Sequence, residues 1–195
     1  IDRYQAGVGT AISEPLMTLT ELAMLCHYVT AAVKIPVFVD AGTGFGEPLH
    51  VMRSVKELER TGIAGMHIED QIFPKRAHYH KYVEHTVSCE EMVDKIKYAV
   101  AAKTNPDFVI MGRTDCMATS GFAEGVRRAN AYLEAGAEMI MCFPNNEEEM
   151  RLAPKEINGP VVYVVSEGNR IKRPVRSRQE YCLLYTSPSP RDQRG

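Results

Sequence analysis

Five short apolar runs in this sequence end in residues able to do chemistry. "VFVD" stops at Asp40, "MHIED" at Glu69 and Asp70, "VIMGRTD" at Arg113 and Asp115, "MIMCF" at Phe143, and "VVYVVSE" at Ser166 and Glu167. If the runs lie parallel and side by side, their ends meet. A ring of Asp40, Glu69, Asp70 and Arg113 would supply oxygen donors suited to Mg2+, which binds through one or two carboxylates, water and substrate. It would also supply an arginine that can grip a carboxylate or phosphate through two parallel bonds. Taken singly, each of these residues reads equally well as a helix N-cap or an ion pair at a helix start. The coincidence of Asp40, Glu69 and Arg113 on three runs favours a site.

The segments between the runs have helical spacing. "PLHVMRSVKELERTG" (48–62) repeats Val51, Met52, Val55 and Leu58 and ends at Gly62, placed to cap it. "SCEEMVDKIKYAVAAK" (88–103) opens with Ser88 and Glu91, the spacing of a capping box. "GFAEGVRRANAYLEAG" (121–136) closes on Gly136, "NEEEMRLAP" (146–154) is a short charged helix, and "LTELAMLCHYVTAAV" (19–33) is a helix upstream. Strands are expected over 34–41, 63–70, 107–115, 137–143 and 159–167, with the end of another at Arg3–Ala6. Apolar strands alternating with helices predict a parallel sheet covered by helices. The expected fold is a (β/α)8 TIM-type barrel, incomplete at both ends, because such a barrel takes about 250 residues. An open doubly wound sheet is the rival, and no GxGxxG opens a helix here to support it.

Composition narrows the function. The chain has 195 residues, 45% hydrophobic and 25% charged, which fits one globular domain or part of a larger one. A net charge of −2 gives no footing for nucleic acid or an acidic membrane. No apolar run approaches the ~20 residues that span a bilayer. Cys26, Cys89, Cys116, Cys142 and Cys182 form no CxxC pair and read as reduced thiols in a cytoplasm. Cys116 is expected buried and inert, Cys89 exposed, and Met111, Met139 and Met141 in the core. The chain starts without methionine, and "CLLYTSPSPRDQRG" (182–195) loses all apolar periodicity. These ends predict a fragment: a partial barrel over 1–176, then a non-native-looking or disordered tail over 177–195.

"DAGTGFG" (40–46), "GMHIEDQIFPKR" (65–76), "DFVIMGRTD" (107–115) and "AYLEAGAEMI" (131–140) together resemble the isocitrate lyase / phosphoenolpyruvate mutase superfamily, in order and at compatible spacing. That group includes methylisocitrate lyases, dimethylmalate lyases and phosphonomutases. The resemblance implies a barrel, Mg2+ (or Mn2+), homo-oligomers, and small 2-oxo or 2-hydroxy carboxylic acid substrates. It implies chemistry at C–C or P–C bonds through an enolate-like species, whose charge a metal and Arg113 would stabilise. Carried over residue by residue, it gives Asp40 and Glu69 as metal ligands, with Glu14 as a further acid of the metal shell. Gly7 in "YQAGVG", Arg113 and Ser166 become substrate contacts.

The sequence departs from the pattern at several places: "YQAGVG" keeps only part of it, and the Asn-containing loop of the mutases is absent. Gly42 stands where a second acid is usual, Ala77 where lyases carry a cysteine acid or base, Phe143 where an acid is expected, and Val164 where an Asn is expected. The segment "KRAHYHKYVEH" (75–85) offers His78 first and His80 second as the general acid in place of that cysteine. A solvated loop is the other reading of these histidines. A zinc site on His78, His80 and His85 matches no strong zinc spacing. The expected function is a Mg-dependent carbon–carbon bond lyase acting on a small 2-hydroxy or 2-oxo (di)carboxylate. The alternatives are a phosphonomutase or phosphonate hydrolase, or a non-catalytic binding protein on the same barrel.

Overall fold

A computed structural model describes residues 17–74, 86–165 and 185–186. In chain order the elements are α1 (Leu19–Ala32), β1 (Phe38–Asp40), α2 (Pro48–Glu59), β2 (Gly65–Glu69), α3 (Cys89–Ala102), β3 (Val109–Thr114), α4 (Met117–Ser120), α5 (Phe122–Glu134), β4 (Met139–Cys142), α6 (Glu147–Glu156), β5 (Val161–Val162), β6 (Val164–Val165) and β7 (Tyr185–Thr186). Strands β1 to β5 form one parallel sheet in sequential order. Asp40 pairs with His67, Glu69 with Arg113, and Arg113 with Met141. Each strand is followed by a helix that returns the chain for the next, and the order never reverses as it would in a doubly wound sheet. This is the wall of the expected TIM-type barrel.

Local chemistry sets the helix boundaries. Ser88 caps α3 by accepting from the Glu91 N–H at 3.1 Å, while the Glu91 carboxylate lies 3.7 Å from Lys95 Nζ. A full reciprocal box closes on α1 instead, between Thr18 and Glu21. Helix α2 starts with Pro48, whose fixed φ suits the first helical position. Before it, Gly44 has φ +85°, and a Cβ there would lie 2.6 Å from Val51 Cγ2, so the loop after β1 needs glycine at that point. Helix α6 runs two residues past Pro154, where the sequence predicted its end. A proline at that position cannot bond the carbonyl four residues back. That carbonyl, of Met150, accepts the Tyr163 hydroxyl at 2.9 Å instead, and the helix continues.

The sheet has two different faces. Val39, Met66, Ile68, Ile110, Ile140 and Val161 pack against Leu22, Val51, Leu58, Met92, Ile96 and Tyr132 of the helix layer. On the opposite face Met111, Met141 and Val162 form a second cluster with Met139 and Phe143 partly buried against it, so Met111 and Met141 are core as expected and Met139 lies at its edge. Two expectations are corrected. Cys89 is buried, because the first turn of α3 faces α5 and places the thiol beside Arg127. The strand expected over 159–167 stops pairing with β4 at Val162, and β6 pairs in parallel with β7. Cys26, Cys116 and Cys142 are buried free thiols. Among the described residues, no helix is long and apolar enough to cross a membrane.

Candidate active site

Successive residues of a strand point to opposite faces. Glu69 and Asp70 are neighbours in sequence and therefore cannot serve one site. Glu69 faces the barrel interior, where its Oε2 lies 3.0 Å from Arg113 Nη1. Asp70 faces the helix layer. Its carboxylate accepts from the Asp115 N–H at 3.0 Å, the Thr114 hydroxyl at 2.7 Å, the Tyr132 hydroxyl at 2.8 Å and Arg128 at 3.3 Å. Burial pushes the Asp70 carboxyl up, against the pull of the Asp115 N–H and the two hydroxyls. The reading of Asp70 as part of the ring is thereby corrected: it ties β2, β3 and α5 together.

The interior face does assemble Asp40, Glu69 and Arg113 from three consecutive strands. Arg113 Nη1 is 3.6 Å from Asp40 Oδ2 as well as ion-paired with Glu69. Its Nε and Nη2 donate to Asp115 Oδ1 and Oδ2, each at 3.0 Å. The Phe143 ring lies over the guanidinium, 4.9 Å from Cζ to centroid, a cation–π contact. Burial works against the Arg113 charge, but Asp115, Glu69 and Asp40 outweigh it and raise its pKa further. Asp40 Oδ1 accepts the Gly42 N–H at 2.8 Å, which folds the loop back over the strand end. Below, His67 Nδ1 is 3.7 Å from Asp40 Oδ1, and its ring stacks on Phe38.

Three participants escaped the sequence reading: His67, Asp115 as the clamp on Arg113, and Gln71, whose side-chain amide donates to Asp115 Oδ2. The signal was present. Counting by twos from Glu69 gives His67 and Gln71, and from Arg113 gives Asp115. Cys116 is no candidate, since burial pushes its thiol up to about 11. Among the described residues no group of three His, Cys, Asp or Glu side chains is arranged as a metal cage. Asp40 and Glu69 offer hard oxygen donors from adjacent strands, a donor set that fits a small divalent cation keeping most of its waters. Gly7, Glu14, Ala77, His78, His80, His85 and Ser166 lie outside the described residues.

Comparison with known proteins decides the family. The phosphoenolpyruvate phosphomutase profile matches residues 8–177. The chain belongs to that family. Among curated relatives of this phosphomutase-family protein, 2,3-dimethylmalate lyase of Eubacterium barkeri is 42% identical over 174 residues, 86% of this chain and 60% of the relative. The 2-methylisocitrate lyase of Aeropyrum pernix is 44% identical over 155 residues, 78% of this chain and 49% of the relative. The phosphomutase-family chain thus spans about half to three-fifths of their length. Among solved structures, oxaloacetate acetylhydrolase with the inhibitor 3,3-difluorooxalacetate superposes with a TM-score of 0.80 at 26% identity, covering 90% of this chain and 60% of the other. Phosphonopyruvate hydrolase with oxalate and Mg++ gives 0.72 at 28% identity, covering 83% and 57%.

Proposed function

We propose that the full-length protein is a Mg2+-dependent carbon–carbon bond lyase acting on a small 2-hydroxy or 2-oxo (di)carboxylate. The convergence of Asp40, Glu69 and Arg113 at the C-terminal ends of three consecutive barrel strands carries the reading. The relatives, which are lyases of such acids, support it. Asp40 and Glu69 would hold the metal, with Glu14 as a further ligand. When bound, Mg2+ supplies a Lewis acid for the substrate oxygen on which negative charge builds. Arg113 contributes an oriented positive charge at the same mouth. Two of its nitrogens are committed to Asp115, so Nη1 is the donor it turns toward Asp40 and Glu69. A charge fixed before reaction needs no reorganisation as the transition state forms.

Cleavage of a C–C bond leaves an electron pair on carbon, and a proton must reach it. His78 first, and His80 second, are proposed as the donor, with Gly7 and Ser166 as substrate contacts. These four rest on the family pattern. On the same ground we propose a cytoplasmic homo-oligomer whose catalytic barrel includes residues 1–176, with 177–195 no part of it. The test is turnover by the full-length protein of 2,3-dimethylmalate, 2-methylisocitrate, oxaloacetate and phosphonopyruvate, with and without Mg2+. Mg2+-dependent cleavage of a carboxylic acid is expected. Turnover of phosphonopyruvate alone would replace the reading with P–C chemistry, and Mg2+-dependent binding of oxalate without any turnover would replace it with a binding role.

A further inference from the structure

Arg113 can act at the mouth only if its guanidinium is held in one orientation, and the clamp that holds it has a support of its own. Asp115 takes Arg113 Nε and Nη2 in two bonds of 3.0 Å. Its backbone N–H is fixed to Asp70 Oδ1 at 3.0 Å. Its side chain receives a further contact from another element: Gln71 Nε2 donates to Oδ2, the oxygen that also receives Arg113 Nη2. Gln71 is buried, and its backbone is tied down as well. It forms an antiparallel bridge with Thr86, and the Val87 N–H donates to the Asp70 carbonyl at 2.8 Å. On the other side the Asp70 N–H donates to the Arg113 carbonyl at 3.1 Å, so the amide donor reaches Asp115 from a backbone tied both to β3 and to the Thr86–Val87 segment.

We propose that Gln71 is a positioning residue for Arg113: by donating to Asp115 Oδ2 it fixes the carboxylate that clamps the guanidinium, and so sets where Nη1 points at the mouth. Buried Gln in a strand end usually satisfies a backbone group. Here the side chain is spent on an ionised carboxylate already engaged by an arginine, and a donor to a charged group is worth more than one to a neutral group. Gln71→Leu keeps most of the volume and removes the donor. Gln71→Glu keeps the shape and sets a second acceptor against Asp115, which turns attraction into repulsion.

The inference rests on the proposed reaction for its effect on ligand binding, but its geometry can be tested alone. In the full-length protein labelled with 15N-arginine, the Arg113 Nε–Hε resonance is assigned by its loss in Arg113→Lys. It is expected to be exchange-protected in the wild type and to shift and lose protection in Gln71→Leu and Gln71→Glu. Oxalate titrated in saturating Mg2+ is expected to bind about tenfold or more weakly to Gln71→Leu, and more weakly still to Gln71→Glu, the size expected for losing a hydrogen bond to a charged group. The Mg2+ affinity should stay within about twofold. The double variant Gln71→Leu/Asp115→Asn should bind no worse than Asp115→Asn alone, because the two act in series. A packing role would lower the melting temperature yet leave the arginine resonance unmoved and the losses in the double variant additive. An unmoved resonance, or additive losses in the double variant, overturns the positioning role whatever the protein binds. A moved resonance in a protein that binds no oxalate overturns the proposed reaction and leaves the positioning role supported.

Discussion

Gly42 lies in the loop after β1, beside Asp40, the proposed metal ligand. Its φ is +56°, and a Cβ built there meets nothing within 4 Å. Aspartate is among the few residues that adopt left-handed backbone readily, at a cost of about 1 kcal/mol. Gly42→Asp is therefore expected to fold and to add an oxygen donor beside Asp40. Mg2+ affinity of the full-length protein, read by calorimetry, should rise about tenfold, since ligand charge tunes such sites. Asp40→Ala should abolish Mg2+ binding with an unchanged circular dichroism spectrum. Equal affinities in the wild type and both variants would remove the metal from this loop. Phe143 covers one face of Arg113 with its ring.

At the scale of the element, α5 carries the ties that hold the site's underside. Its Tyr132 and Arg128 both reach the buried Asp70. Tyr132→Phe removes one of those donors without changing the ring, and is expected to cost about 1–3 kcal/mol in urea denaturation. An unchanged midpoint would mean that Arg128 and Thr114 suffice. The same helix has a pH signature. Hydrogen bonding to Arg127, and then to Arg128, lowers the Glu124 pKa from 4.5 to about 2. A depressed carboxylate pKa contributes stability that is complete above the unfolded value and is lost as pH falls through the folded one. Glu124→Gln should thus flatten the loss of stability between pH 4.5 and about 2. At pH 7 it should cost less than about 1 kcal/mol, because the pair is partly screened by solvent. Melting curves across that window check both statements, and an unchanged slope would show the pair to be energetically silent.

Across the whole molecule, protection should follow sheet position. Strands β2, β3 and β4 each have a neighbour on both sides, whereas among the described strands of this sheet β1 pairs with β2 alone and β5 with β4 alone. In the 195-residue chain, amides of β2 to β4 are expected to exchange slowest and those of β1 and β5 orders of magnitude faster, as the edges open without global unfolding. Uniform protection over all five strands would mean that the edges are covered by other segments. The distribution bears on function, because Asp40 sits on the edge strand while Glu69 and Arg113 sit on central ones. The Asp40 end of the site should therefore be softer than the end formed by Glu69 and Arg113.

Much of this was legible in the sequence. Apolar strands alternating with 3.6-period helices demand a covered parallel sheet, and the acidic and basic residues that end those strands must then share a mouth. Asp40, Glu69 and Arg113 followed from that, because strand ends in a sequential parallel sheet are neighbours by construction. Which residue of an adjacent polar pair enters the site did not follow. Glu69 and Asp70 are both carboxylates at the end of one run, and only the register of β2 against β3 turns one toward Arg113 and the other toward Tyr132. Cys89 was misjudged for a similar reason: a helix start is exposed or buried according to which neighbour packs on it, here α5. The helix expected over 146–154 runs on past Pro154, although the Met150 carbonyl that Pro154 leaves without a donor has no partner within the helix. Tyr163, thirteen residues from Met150 in sequence, supplies that partner in space. Composition and period fix what local backbone and side chains favour, while the choice among equivalent local options belongs to contacts that the chain makes only once folded.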